Sequence, residues 1–400
     1  MQLLPKEAGF SPERLKRVDS YLSGLVESNQ LAGVAAYLFR HGKSAYQYCT
    51  GWLDKEKAIP LKEDAIYLTC SLSKTFTIVT LMTLYEKGLF RLEDPVSRFI
   101  PEFKDVTVAE EYFGSTRFVP AKREMTVEHL CTMTSGLPYP SSSSISAKEF
   151  GRLLEDFEKQ NGREPTTLEK AKIAAKTPLS FHPGEGWLYG FSSDVLGALI
   201  EVISGKRLGE YMKEALLDPL GLTDTGFFVP KEKRSRLITC YTYDGKSLKP
   251  YNDRPAPDAP PAFESGGGGV YSTMGDVARF SRMLLQDGEL DGTRILSRKT
   301  VELIRCNHLD EEQLRQFHGL FYPRFKGYGY GLSVRTMMHP EKEGLNGSIG
   351  EWGWDGMMGT WHFIDPAEDM VAVFMMQRIP GGHEDLPKLF MQAVYGAIDD

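Results

Sequence analysis

Residues 75–85, Thr-Phe-Thr-Ile-Val-Thr-Leu-Met-Thr-Leu-Tyr, carry no charge and are apolar on most sides of a helix. A helix without a polar face has no place on a protein surface, so this segment must sit inside a core built by other elements. It is too short to span a bilayer. At its head stands Ser71-Leu72-Ser73-Lys74. Residues three apart share a helix face, so Lys74 can approach the Ser71 oxygen and take its proton. A lysine carried into apolar surroundings loses hydration, and the expectation is a lowered pKa and a neutral amine serving as base. This is the chemistry of a Ser–Lys nucleophile. A plainer reading stands beside it, with Ser71 as helix cap and Lys74 as a solvated first-turn residue. About one or two S-x-x-K matches arise by chance in a chain this long. A first-turn cation opposes the helix dipole, which weakens the plainer reading.

The 400 residues are 41% hydrophobic and 25% charged, as in ordinary globular proteins, with a net charge of -7 and no basic stripe. Nucleic acid is therefore not an expected partner, nor is a membrane. The first residues lack a basic segment followed by an apolar one, which reads as a cytoplasmic protein, or a periplasmic or secreted one if a signal peptide has been removed. The five cysteines are odd in number, scattered and without C-x-x-C, as expected of reduced thiols. Cys70 reads as a small buried residue ending a strand rather than a rival nucleophile. No metal or other cofactor is expected: the histidines lack zinc-ligand spacing, and Gly266–Gly269 is not followed by the Lys-Ser/Thr of a phosphate loop. That glycine run reads as a tight turn where backbone meets the site. His129 and His182 read as packing or capping residues.

Residues 11–30 predict an amphipathic helix with a Ser11 cap. Residues 33–39 and 44–49 predict a hairpin, 359–364 and 370–376 a second, and 386–398 a closing helix. The stretch 71–264 reads as mostly helical with long loops. The linker-like stretches 141–144 and 254–261 are too short to separate folding units. The expected fold is α+β: an antiparallel sheet built from N- and C-terminal strands flanked by helices, with a mostly helical inserted subdomain. One domain over 1–400 is expected, its α/β part about 1–70 and 265–400 and its helical part about 71–264.

The tetrad's neighbours carry more. YLTCSLSKTFT followed by LYEKGLFRLEDPVSRFIPEF resembles the serine β-lactamase and penicillin-binding-protein superfamily, in particular its class C-like and carboxylesterase family VIII branch. MTVEHLCTMTSGLP (125–138), PGEGWLYGFSSDVLGALIEVISG (183–205), LLDPLGLTDTGF (216–227), the stretch 265–297 and YGYGL (328–332) are similar to further signature segments, in the expected order. The resemblance implies a β-lactamase-like fold, Ser71 as the acylated nucleophile, Lys74 as its proton-transfer partner and Tyr189 as general base or proton shuttle. A phenol beside an ammonium can be held nearer ionisation; on its own, Tyr189 reads as a core aromatic. Trp354-Asp355-Gly356 falls where the family has K-T-G, H-x-G or W-x-G. It implies substrate contacts there and an oxyanion hole from the Ser71 and Met357 backbone N–H groups.

Three positions depart from the family. Phe191 replaces the Asn of Y-x-N, Trp354 replaces the Lys of K-T-G, and Met133 stands where a histidine is often found. The first two, at substrate-binding positions, move the expected substrate away from anionic, amide-rich molecules and toward small neutral esters. The function implied is a carboxylesterase acting through an acyl-enzyme. The alternatives are a β-lactamase or D-amino-acid peptidase/amidase, an acyltransferase, and a catalytically inactive binding protein on the same fold. The substrate is a small-molecule ester or amide; the sequence leaves oligomeric state open.

Overall fold

A computed structural model describes residues 2–400 except 113–114, 142, 252–254, 322 and 382–384. Ser142 and Arg254 of the two linker-like stretches thus lie outside the described residues. Ser11 caps helix α1 (Pro12–Glu27), its Oγ accepting the Arg14 N–H at 3.3 Å. Strands β1 (Gly33–Arg40) and β2 (Lys43–Asp54) form the first hairpin, and the short β3 (Ile59–Pro60) follows. The second hairpin joins Trp361–Asp365 to Met370–Met375, and a helix over Leu386–Tyr395 follows.

The two ends of the chain make one sheet. Its eight strands run in the order Tyr328–Tyr330, Arg335–Met337, Trp352–Asp355, Trp361–Asp365, Met370–Met375, β1, β2, β3, all antiparallel. β1 pairs directly with Met370–Met375, from Ala35 opposite Met375 to Arg40 opposite Met370. Every residue of β1 is buried, because both faces are covered. Val34, Ala36 and Leu38 join a core with Leu15, Val18 and Leu22 of α1 and Phe390 and Val394 of the closing helix. Ala35, Tyr37 and Phe39 point the other way, into the larger core that contains helix α2 (Ser73–Glu86). Strand alternation thus divides one apolar run between two cores.

α2 is buried from Ser73 through Leu84, as its composition requires. Its threonines satisfy their hydroxyls locally or at the rim: Thr80 donates to the Phe76 carbonyl at 2.8 Å, and Thr77 to that of Gly266 at 2.8 Å. The region 71–264 holds more than helices. Thr107–Tyr112 and Ser115–Pro120 pair as an antiparallel hairpin, and Tyr241–Tyr243 pairs with Leu248–Pro250. The first hairpin is mostly solvent-facing, so it lacks the apolar alternation that marks a strand in sequence.

Candidate active site

The approach to α2 is a strained turn. Strand Ile66–Leu68 ends, Cys70 adopts φ +48°, and Cys70–Leu72 form a single 3-10 turn. Left-handed backbone is uncommon for a residue with a Cβ. Cys70 is therefore buried, as expected, but it makes the turn rather than ending the strand. The turn separates two serines by environment. Ser73 is fully buried, its Oγ 3.0 Å from Thr69 Oγ1 and accepting the Val270 N–H at 3.0 Å. Ser71 is only half-buried, and its side chain caps no helix.

Lys74 has no exposed surface, which excludes a solvated first-turn role. Its Nζ donates to the Gly267 carbonyl at 2.6 Å and lies 4.7 Å from the Tyr189 ring centroid and 5.8 Å from that of Tyr139. Burial pulls its pKa down, but the oxygens of Tyr139 and Tyr189 and the Asp194 carboxylate outweigh this, and the net direction is upward. The upward direction runs against the expectation of a neutral Lys74. Asp194 is buried too, and that burial raises its pKa against the opposing pull of the Ser265 hydroxyl, Lys74, the Gly267 N–H and Lys170. Its Oδ1 accepts from Ser265 Oγ at 2.5 Å and from Gly267 N–H at 3.1 Å.

The glycine run is the bracket for this arrangement. A Cβ on Gly267 would lie 2.5 Å from Asp194 Oδ2, and one on Gly266 would lie 2.6 Å from the Ser193 carbonyl. No larger residue fits between α2 and the helix Ser192–Ser204 without moving one of them.

Tyr189 is half-buried, and its hydroxyl accepts the Trp354 indole N–H at 3.1 Å. Trp354 is 2% exposed and belongs to an aromatic group with Phe325 and Tyr330. Asp355 pairs with Arg324 at 3.3 Å, both nearly buried. Phe191, the residue before the helix Ser192–Ser204, is 4% exposed; its ring packs on Phe150 at 4.9 Å and reaches the site through Tyr139 at 6.3 Å. Met133, at φ +61°, is wholly buried.

Gly356 presses the strand end against the nucleophile turn. A Cβ there would meet the Thr69 carbonyl at 2.3 Å and Thr360 Oγ1 at 2.4 Å, while Thr360 Oγ1 donates to that same carbonyl at 2.8 Å. Met357 follows, 44% exposed, and among the described residues its amide donates to no backbone group. An amide one residue beyond the contact with Thr69, with no backbone acceptor among the described residues, suits an oxyanion donor. Gly356→Ala is expected to reduce ester turnover about 100-fold or more by displacing this strand end; kcat measured on folded variant near wild-type level would contradict it.

Two polar groups of this site, Tyr139 and Asp194, were not singled out in the sequence, whereas the Gly267 carbonyl lies in the glycine run expected to meet the site. Asp194 had one signal, an acid in the first turn of the helix after Tyr189. His129 and His182 are engaged elsewhere. His129 Nδ1 accepts the Thr126 N–H at 3.1 Å in a capping box, and His182 Nε2 lies 2.8 Å from Glu110.

A serine on a strained turn, a buried lysine behind it and a strand end held alongside by glycine define a serine-hydrolase scaffold. The chain belongs to the beta-lactamase family, whose model matches residues 18–393, and its fold is β-lactamase-like. It is 32% identical over 360 residues to Protein Rv1367c of Mycobacterium tuberculosis, covering 88% of each chain. It is 28% identical over 382 residues to esterase EstB of Burkholderia gladioli, covering 88% of this chain and 87% of the esterase. Among solved structures, EstCE1, a hydrolase with promiscuous acyltransferase activity, matches with a TM-score of 0.80 at 24% identity. That match covers 96% of this chain and 98% of EstCE1. No helix among the described residues is long and apolar enough to cross a membrane.

Proposed function

We propose that this protein is a carboxylesterase for small neutral esters, acting through an acyl-enzyme on Ser71 within a single domain spanning residues 1–400. The observation that carries the substrate choice is Trp354. It occupies the position where the family's lysine would meet a substrate carboxylate, and its indole N–H is engaged by Tyr189. The nearby cation Arg324 is held by Asp355. An ester without a negative charge needs neither. Likeness to an esterase over most of both chains supports the same reading.

The chemistry follows from the geometry with one change of roles. Lys74 stays protonated, and it and the Trp354 N–H both favour negative charge on the Tyr189 oxygen. In the reacting form Tyr189 is a phenolate beside the Lys74 ammonium, and it accepts the Ser71 proton as Ser71 attacks the carbonyl. The N–H groups of Ser71 and Met357 stabilise the oxyanion. Tyr189 then protonates the leaving alcohol and later draws a proton from the water that releases the acid. Asp355 and Gly356 set the edge along which substrate lies, and Phe191 backs Tyr139 as an apolar wall. The free cysteines fit a reduced, cytoplasmic setting.

A p-nitrophenyl ester panel run beside nitrocefin tests the assignment, with kcat/KM favouring the esters as the expected result and the reverse overturning it. Tyr189→Phe is expected to lower ester kcat by about 10²–10⁴-fold with unchanged circular dichroism. A smaller loss would remove Tyr189 from the proton path.

A further inference from the structure

Away from this site, Cys306, His308 and Glu128 form a second cluster with the makings of an activated nucleophile. Cys306 directly follows the helix Arg298–Arg305 and is exposed. Its Sγ lies 3.3 Å from His308 Nε2 and 3.3 Å from the Leu303 carbonyl oxygen. His308 Nε2 is also 2.9 Å from that carbonyl, and its Nδ1 is 3.5 Å from Glu128 Oε1 on the helix Val127–Cys131. Acceptors therefore flank both ring nitrogens. A neutral imidazole can donate from only one of them, whereas an imidazolium donates from both. The ring is pinned from behind as well, its backbone N–H donating to the Tyr330 carbonyl at 2.9 Å. Only 11% of the His308 side chain is exposed, so the ring is held in place while the sulfur beside it meets solvent.

We propose that Cys306 is a thiolation site, at which the Cys306–His308–Glu128 cluster takes up a low-molecular-weight disulfide of the glutathione type. The thiolate attacks one sulfur of the disulfide, and the new Sγ–S bond forms as the reagent's S–S bond breaks. The departing thiolate takes its proton from the His308 imidazolium. The disulfide is itself the oxidant, so the step needs no other co-reactant.

The charged groups around the sulfur agree with this chemistry. The hydrogen bond and charge of His308, helped by Arg305, hold the Cys306 thiol below its usual value against the opposing effect of burial. Burial lowers the His308 pKa, but the Cys306 sulfur, the Leu303 carbonyl and Glu128 outweigh it and hold the pKa up to about 9. Each group thus favours the charged form of the other, a thiolate beside an imidazolium. The protein supplies its own contrasts. Burial raises the Cys49 thiol, and it pushes the Cys240 thiol up to about 12. Cys70 and Cys131 are buried. One sulfur of the five thus combines access with activation.

The test is to expose the full-length protein to glutathione disulfide at pH 6 and follow it by intact and peptide mass spectrometry. A single glutathionyl adduct on Cys306, released by dithiothreitol, is the expected result. His308→Asn should slow its formation on the order of tenfold. First reaction at Cys49 or Cys240, or an unchanged rate in folded His308→Asn, overturns the proposal. The iodoacetamide rate of the wild-type protein against pH decides without any variant. A midpoint for Cys306 below the ordinary thiol range supports the site, and one at or above that range overturns it. Cys306→Ser should lose the adduct and keep its ester turnover.

Discussion

Ser71→Ala is expected to abolish hydrolysis of p-nitrophenyl acetate and butyrate, with a loss on the order of 10⁴-fold or more. The fold should be untouched, because the Ser71 side chain is half-buried and caps no helix. A fluorophosphonate probe should label the wild-type protein on Ser71 and leave the variant unlabelled by mass spectrometry. The informative control is Ser73→Ala, two residues on. Ser73 Oγ accepts the Val270 N–H deep in the protein, so its removal is expected to cost about 1–3 kcal/mol of stability. The two serines should thus separate cleanly, one variant losing chemistry and the other losing melting temperature. Residual turnover near the wild-type level in Ser71→Ala would end the acyl-enzyme assignment.

Lys74→Met should be nearly as damaging to turnover, about 10³-fold, by removing the charge that stabilises a negative Tyr189 oxygen. It also takes the hydrogen-bond donor from the Gly267 carbonyl and a compensating charge from Asp194. A loss of stability of about 1–3 kcal/mol is expected. Adding Asp194→Asn should restore part of that stability without restoring activity, which distinguishes the two roles of the ammonium. Its pH dependence is set by the direction of the shift. The folded-state pKa lies above the ordinary lysine value of 10.5. The contribution of Lys74 to stability is therefore complete below that value and is lost as pH rises through the folded-state one. Across about pH 6 to 9 the stability gap between wild type and Lys74→Met should be constant. An activity profile that climbs through neutral pH because Lys74 is losing its proton would restore the neutral-amine mechanism.

The sequence was most readable where physics is local. A run with no polar face announced a buried helix, a serine before proline marked the start of α1, and two short runs toward each end of the chain announced hairpins. Motif order then located Ser71, Lys74, Tyr189 and the Trp354–Gly356 edge. What stayed hidden depends on residues far apart in the chain. Lys74 taken alone among apolar neighbours is expected to lose its proton; Tyr139, Tyr189 and Asp194 brought around it pull its pKa the other way. Phe191 reads from its motif as a substrate contact, yet its ring lies against Phe150, since the residue also turns the chain into the helix Ser192–Ser204. The hairpin over Thr107–Pro120 was silent because a solvent-facing pair of strands needs no apolar pattern.

The pairing of β1 with Met370–Met375 has a consequence for how the protein comes into being. On the ribosome, β1 emerges, apolar on both faces, long before the strand that completes its hydrogen bonds. Until then the β1–β2 hairpin must wait with one edge of β1 unpaired, which favours help from chaperones and slow, late closure. The same order of synthesis governs chemistry. Gly356 and Met357 reach the Ser71 turn only when that sheet closes, so Ser71 is made long before the strand end that faces it.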